Sequence, residues 1–67
     1  MIRLTRKNGK EFILNAELIK FVEETPDTII TLVGGEKFMV AEAADIVVDK
    51  AIQFARMVRS LPWQSTQ

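Results

Sequence analysis

Residues 2–14 read IRLTRKNGKEFIL, and residues 30–40 read ITLVGGEKFMV. In the first stretch Ile2 and Leu4 alternate with Arg3 and Thr5, the period of a half-buried strand. Asn8-Gly9 predicts a tight hairpin, because both residue types tolerate the positive φ of a primed turn. The chain then returns through Glu11–Leu14, with Phe12 and Leu14 on one face and Ile13 on the other. In the second stretch the β-branched run TIITLV suits a pleated surface, Gly34-Gly35 turns it, and EKFMV returns. Aligning Ile2 with Ile30, Leu4 with Leu32, Gly9 with Gly35, Phe12 with Phe38 and Leu14 with Val40 gives two hairpins of one design. In this alignment the first hairpin has the longer turn, by two residues. Duplication and the small number of ways to write a stable hairpin account for the repeat equally well, and two copies are too few for a solenoid.

Working outward from the hairpins, NAE at 15–17 reads as a turn and LIKFVEE at 18–24 as a further strand. Strict alternation there places Ile19 and Phe21 on one face and Leu18, Lys20 and Val22 on the other. Pro26 ends the strand, since it has no N–H for a ladder. From Ala41 the period changes to that of a helix, with a main stripe of Ala44, Val47, Val48, Ala51, Phe54, Ala55 and Val58. Ile46, Ile52 and Met57 flank it. Glu42 and Asp45 at the start and Arg56 and Arg59 at the end suit the helix dipole. The predicted fold class is α+β: a small antiparallel β-sheet of about five strands, built from two similar hairpins, followed by one C-terminal helix. Residues 1–60 form one domain, and 61–67 are expected to be a flexible tail that Trp63 pins to the body.

A chain of 67 residues is one small domain. At about 60 residues only roughly 60% of the extended chain's surface is buried, so such a core is marginal by itself. Disulfides, a metal or self-association are the usual remedies. With no Cys and no His, disulfides and a zinc site are excluded. Self-association remains, and the strand pattern favours it. Ile13, Leu18, Val22, Ile29, Val33 and Met39 fall on the face opposite Phe12, Ile19, Phe21, Ile30, Leu32 and Phe38. One helix covers one face, so the first set is predicted to meet a second copy in a homo-oligomer. The alternative is a strongly curled sheet that covers itself.

Nine basic and nine acidic residues balance to zero net charge, which gives no overall attraction to nucleic acid or anionic lipid. No apolar run approaches the roughly 20 residues of a membrane-spanning helix. Nor does a secretory apolar core follow Met1-Ile2-Arg3. A soluble, cytoplasmic protein is expected.

The ingredients of catalysis are missing from the sequence. Acid–base work is usually done by His or by pocketed carboxylates. Glu23 and Glu24 are strand neighbours that face opposite ways, and read as a solvated turn. Ser60 and Ser65 have no His to activate them. Gly34-Gly35 lacks the Lys-Ser or Lys-Thr of a phosphate loop. Asp45 and Asp49 lie one helical turn apart with no third ligand for a cation. The expectation is a non-enzyme without cofactor or metal. Arg3, Arg6, Lys7 and Lys10 form a basic cluster, but no exposed aromatic is interleaved for base stacking. Such charges also protect hairpin edges. The candidate partner surfaces are the hairpin turn Arg6, Lys7, Asn8 and Gly9, and the outer helix face with Asp49 and Arg56.

Over residues 1–58 the chain resembles the FlbD family of flagellar proteins, also known as SwrD. The resemblance is carried by Met1, Ile2, Leu4, Thr5, Asn8, Gly9, Phe12, Leu14 and Asn15, then Glu24, Pro26, Asp27 and Thr28, then Ile30, Thr31, Leu32, Gly35, Phe38 and Val40. These pieces come in order at near-fixed spacing. Gly34-Gly35 departs from the Asn-Gly common in the family, and Trp63 lies outside the shared region. The resemblance implies a cytoplasmic flagellar accessory, without enzymatic activity, that raises motor power for swarming through contacts with motor or stator components. A rival resemblance is to the carbon storage regulator family of small RNA-binding dimers, through LTRK at 4–7. The segment MVAEAAD at 39–45 lacks the basic residue with which that family reads RNA.

Overall fold

Two hairpins supply four of the five strands in the computed structural model, which describes residues 1–60. The first pairs β1 (Ile2–Thr5) with β2 (Glu11–Leu14), and the second pairs β4 (Thr28–Leu32) with β5 (Lys37–Val40). All pairing is antiparallel. Their turns are the same. Gly9 N–H donates to Arg6 O at 2.9 Å and Arg6 N–H to Lys10 O at 2.8 Å; Gly35 N–H donates to Leu32 O at 2.9 Å and Leu32 N–H to Glu36 O at 2.8 Å. Gly9 and Gly35 have φ of +91° and +96°, and no other described residue has a positive φ. This is the three-residue loop in which a turn of ordinary hand is followed by one left-handed glycine.

The primed turn expected at Asn8-Gly9 is therefore not formed, because Asn8 keeps a negative φ. Nor is the first turn longer. Ile2 pairs with Leu14 and Leu4 with Phe12, as Thr28 pairs with Val40 and Ile30 with Phe38. Shifting by 26 residues maps every one of these pairs onto its counterpart without a gap. Leu4 thus corresponds to Ile30 rather than Leu32, and both are completely buried.

The two hairpins meet along a seam. Arg6 bridges to Val40, and Ala41 N–H donates to Thr5 O at 2.8 Å. β3 (Ile19–Glu24) adds to β4 on the other side, giving the order β3-β4-β5 in the larger sheet. The core holds Ile2, Leu4, Leu14, Ile30, Leu32, Val40 and Val47, with Phe12, Ile19, Val22, Phe38 and Phe54 packed against it. Each fully buried aliphatic side chain there contributes about 1.5–3 kcal/mol.

Alternation fails in β3. The register against β4 shifts between Ile19 and Phe21. An extra residue at a bulge reverses the faces beyond it. Val22, expected on the outer face, packs against the core, while Phe21 is 53% exposed. The NAE turn forms a single 3-10 turn at Ala16–Leu18, begun by Asn15, whose side chain accepts from Glu17 N–H.

α1 (Ala44–Arg59) starts three residues later than the period change at Ala41. Ala43 at its head offers no capping side chain. The carboxylate of Glu24, from β3, accepts Ala44 N–H at 2.8 Å instead. A negative group at this end also complements the dipole. Only Val47 of the helix is buried, and Val48, expected in the stripe, is 44% exposed. Ala44, Ala51, Phe54, Ala55 and Val58 are half-buried. At the far end Ser60 N–H donates to the carbonyls of Arg56 and Met57, and its hydroxyl to Met57 O at 2.7 Å. The expected tail at 61–67, with Trp63, lies outside the described residues.

Candidate functional site

The first hairpin turn sits against two aromatic rings. Phe12 and Phe38, equivalent positions of the two hairpins, have centroids 5.6 Å apart at an interplanar angle of 31°. The Arg6 guanidinium lies 4.4 Å from the Phe12 centroid and 5.5 Å from that of Phe38. A cation over such faces gains about 0.5–1 kcal/mol at an exposed site. Lys7 Nζ reaches Asp27 Oδ1 at 3.1 Å, tying the turn to the β3–β4 loop. Asn8 Oδ1 accepts Lys10 N–H at 3.0 Å. Gly9 closes the turn.

Arg3, next to this turn in the chain, is 3.4 Å from Glu11 Oε1. Three of the four clustered cations are thus engaged within the chain: Arg3 by Glu11, Lys7 by Asp27, and Arg6 by the phenyl rings. The two ion pairs are exposed and contribute about 0–1 kcal/mol each.

Thr5 completes the seam beside the turn. Its N–H donates to Glu42 Oε1 at 3.0 Å. Burial raises the Glu42 pKa, but hydrogen bonds from Thr5 and from Glu42's own backbone N–H, with the Lys50 charge, lower it more, so it lies below the ordinary value. Lys50 Nζ donates to Arg3 O at 2.8 Å and holds the helix against β1. Together these bonds join β1 to the start and the side of α1. Among the described residues, no three His, Cys, Asp or Glu side chains come together to hold a metal. Glu24 caps α1, while Glu23 pairs with Ile29 of β4.

On the outer helix face, Asp49 Oδ2 accepts from Gln53 Nε2 at 2.7 Å, and Arg56 is exposed two turns further on. No hydrogen bond or ion pair among the described residues joins this face to the Arg6–Gly9 turn.

The outer sheet face is richly apolar. Ile13, Leu18, Val33 and Met39 are 56%, 42%, 62% and 44% exposed. Ile29 is half-buried and pairs directly with Met39. Leu18 O accepts Val33 N–H at 2.8 Å, so those two side chains begin from adjoining backbone. Ile13 stands apart on β2, opposite Arg3. Phe21, which alternation assigned to the core face, takes the outward place expected for Val22; no residue signal marks the bulge that exchanges them. Between Phe21 and Lys37 in the register lies Thr31, 8% exposed, whose hydroxyl has no partner among the described residues.

Two grooves flank α1. One, of about 510 Å³, runs between the helix and the 3-10 turn and is lined by Ala16, Glu17, Ala51, Phe54, Ala55, Val58 and Arg59. The other, of about 390 Å³, is lined by Met1, Ile2, Lys50, Gln53, Phe54 and Met57. The first was legible only as small residues in the apolar stripe. Alanines at 51 and 55 pack too little volume to close on a neighbour.

Residues 1–59 match the FlbD family, described as flagellar and swarming motility proteins. No curated protein and no solved structure matches the chain.

Proposed function

The chain belongs to the FlbD family of flagellar and swarming motility proteins, and on that premise we propose that it is a non-catalytic accessory of the flagellar motor. It supports motor power and swarming through protein–protein contacts. It works in the cytoplasm, at the motor, as a homo-oligomer. The observation that carries this reading is the outer sheet face, where Ile13, Leu18, Phe21, Val33 and Met39 are all more than two-fifths exposed. Apolar surface of that kind in a small chain marks an interaction site. The absence of His and Cys from the sequence fits contact rather than chemistry.

Size-exclusion chromatography with light scattering tests self-association. More than one copy at micromolar concentration is expected, with Met39→Asp or Ile13→Asp shifting the protein towards monomer while its circular dichroism is retained. A strictly monomeric parent protein overturns the oligomer. For the cellular role, deletion of the gene is expected to lower motor torque while filaments remain. Missing filaments would move the role to assembly or gene regulation. Pull-down with stator and rotor components, using Arg6→Glu and Arg56→Glu variants, identifies the surface that binds. The RNA-binding alternative draws no support from the basic cluster, since Arg3, Arg6 and Lys7 are engaged within the chain. Retention on RNA at low salt, weakened by Arg3 and Arg6 changes, would restore it.

A further inference from the structure

We propose that α1 packs antiparallel against α1 of a second copy, across a two-fold axis beside Ile52. The contact is separate from the outer sheet face, and rests on the same reading of the chain as self-associating. Three observations carry it. The first is a line of side chains that the sheet does not use. Asp45, Val48, Ile52, Ala55 and Arg59 follow one another at spacings of three, four, three and four residues. That is the rhythm of a seam between paired helices. Asp45, Val48, Ile52 and Arg59 are exposed among the described residues, and Ala55 is half-buried. Val47 and Phe54 face the core and leave this line to one side.

The second is charge. The line has an acid at one end and a base at the other, each seven residues from Ile52. A second helix reversed about Ile52 therefore sets Asp45 against the partner's Arg59, and the symmetry makes the same pair twice. On the flank, Asp49 comes level with the partner's Arg56. Parallel helices would instead oppose like charges. The helix dipole asks only for an acid somewhere in the first turn and a base somewhere in the last. It does not require both to stand in line with Val48 and Ile52. No ion pair among the described residues engages Asp45, Arg56 or Arg59.

The third is size. Ala51 and Ala55 add little bulk beside the line, so a second backbone can come to the roughly 8–10 Å between the axes of packed helices. Val48 and Ile52 then lose their contact with water. A chain with two different two-fold contacts, one on the sheet and one on the helix, assembles beyond a dimer.

The chain has no cysteine, so Ile52→Cys places a single thiol at the axis. Across such a seam the facing Cα atoms come within about 7 Å, the reach of a disulfide. The experiment uses the full-length chain carrying Met39→Asp, which removes the sheet contact. Mild oxidation is expected to link Ile52→Cys into dimers several-fold faster than Ile46→Cys, which is equally exposed but on another side of the helix. Equal rates overturn the proposal. Sedimentation equilibrium with the native Ile52 gives a second reading. Asp45→Arg and Arg59→Asp are each expected to weaken dimerisation about tenfold, and the two together to restore it. Circular dichroism should stay helical, since both positions are exposed. Weakening without restoration overturns the antiparallel pairing, as does a Met39→Asp protein that remains monomeric at hundreds of micromolar. A Met39→Asp protein that keeps the parent's mass and links preferentially through Ile52→Cys supports the helix contact and removes the sheet contact.

Discussion

Replacing Gly34 by Asn is expected to stabilise the protein, although the same change one residue later would damage it. Gly34 corresponds to Asn8 under the 26-residue shift, and unlike Gly35 its φ is not positive. The three atoms nearest a Cβ added at Gly34 all belong to the Glu36 carboxylate, with Oε1 at 2.6 Å, the free end of an exposed side chain that can swing aside. Restricting the unfolded backbone contributes about 0.4–1 kcal/mol. In the first turn the Asn8 carboxamide also accepts Lys10 N–H. The corresponding bond to Glu36 N–H adds about 0.5 kcal/mol at an exposed site. Together these give about 1–1.5 kcal/mol, or a rise in Tm of roughly 5–10 °C for a domain of this size. Gly35→Ala has the opposite sign. Nothing lies within 4 Å of its added Cβ, so its cost is that of forcing an L-residue to φ +96°, about 1–2 kcal/mol. Thermal unfolding followed by circular dichroism at one fixed protein concentration reads both, since association shifts apparent stability. A fall in Tm for Gly34→Asn, or no fall for Gly35→Ala, would refute the equivalence of the two turns.

Further outcomes follow from the core and the seam. Leu4→Ala is expected to cost about 2–5 kcal/mol, against a total of about 3–10 kcal/mol for a chain of this length, so cooperative melting should be largely lost. Ile13→Ala, on the outer face, should change the stability of the monomeric fold by no more than about 0.5 kcal/mol in urea titrations. Arg6→Ala should cost about 0.5–1 kcal/mol through loss of the stacked guanidinium. Added salt should weaken the Lys7–Asp27 contribution more than this one, since exposed ion pairs are screened. The Glu42 carboxyl has a pKa below its ordinary 4.5 in the folded chain. Its stabilisation is therefore fully present above that value and disappears as pH falls through the lower folded value. The stability difference between the parent protein and Glu42→Gln should accordingly shrink as pH falls below 4.5 in urea titrations.

Much of this fold was legible because its strands are short and its turns carry strong residues. IRLT, EFIL, TIITL and KFMV all appear as strands within the stretches that alternation and β-branched content marked. What alternation could not supply was the register of the repeat. Matching apolar residues by type, Ile2 to Ile30 and Leu4 to Leu32, gave an attractive alignment that forced a gap at the turn. Backbone hydrogen bonding sets the correspondence instead, and it makes Arg6 the equivalent of Leu32. A charged residue fills that place because its stem and guanidinium lie over Phe12 and Phe38. Phe21 and Val22 were exchanged because a bulge adds a residue without leaving a compositional mark. The start of α1 was misplaced for a related reason. Its cap comes from Glu24, twenty residues earlier, and the local residues AEA carry no sign of it. Of the proposed contact residues, Arg6, Lys7, Asn8 and Gly9 form one continuous turn. Asp49 and Arg56 share a separate helix face.

The gapless repeat also bears on how the molecule assembles itself. Each hairpin closes over 13 residues, 2–14 and 28–40, around a loop of identical hydrogen bonding. Forming such a unit needs only local encounters, on the order of microseconds. The polypeptide therefore has two equivalent places to begin organising, and whichever forms first offers the other its seam at Thr5 and Val40.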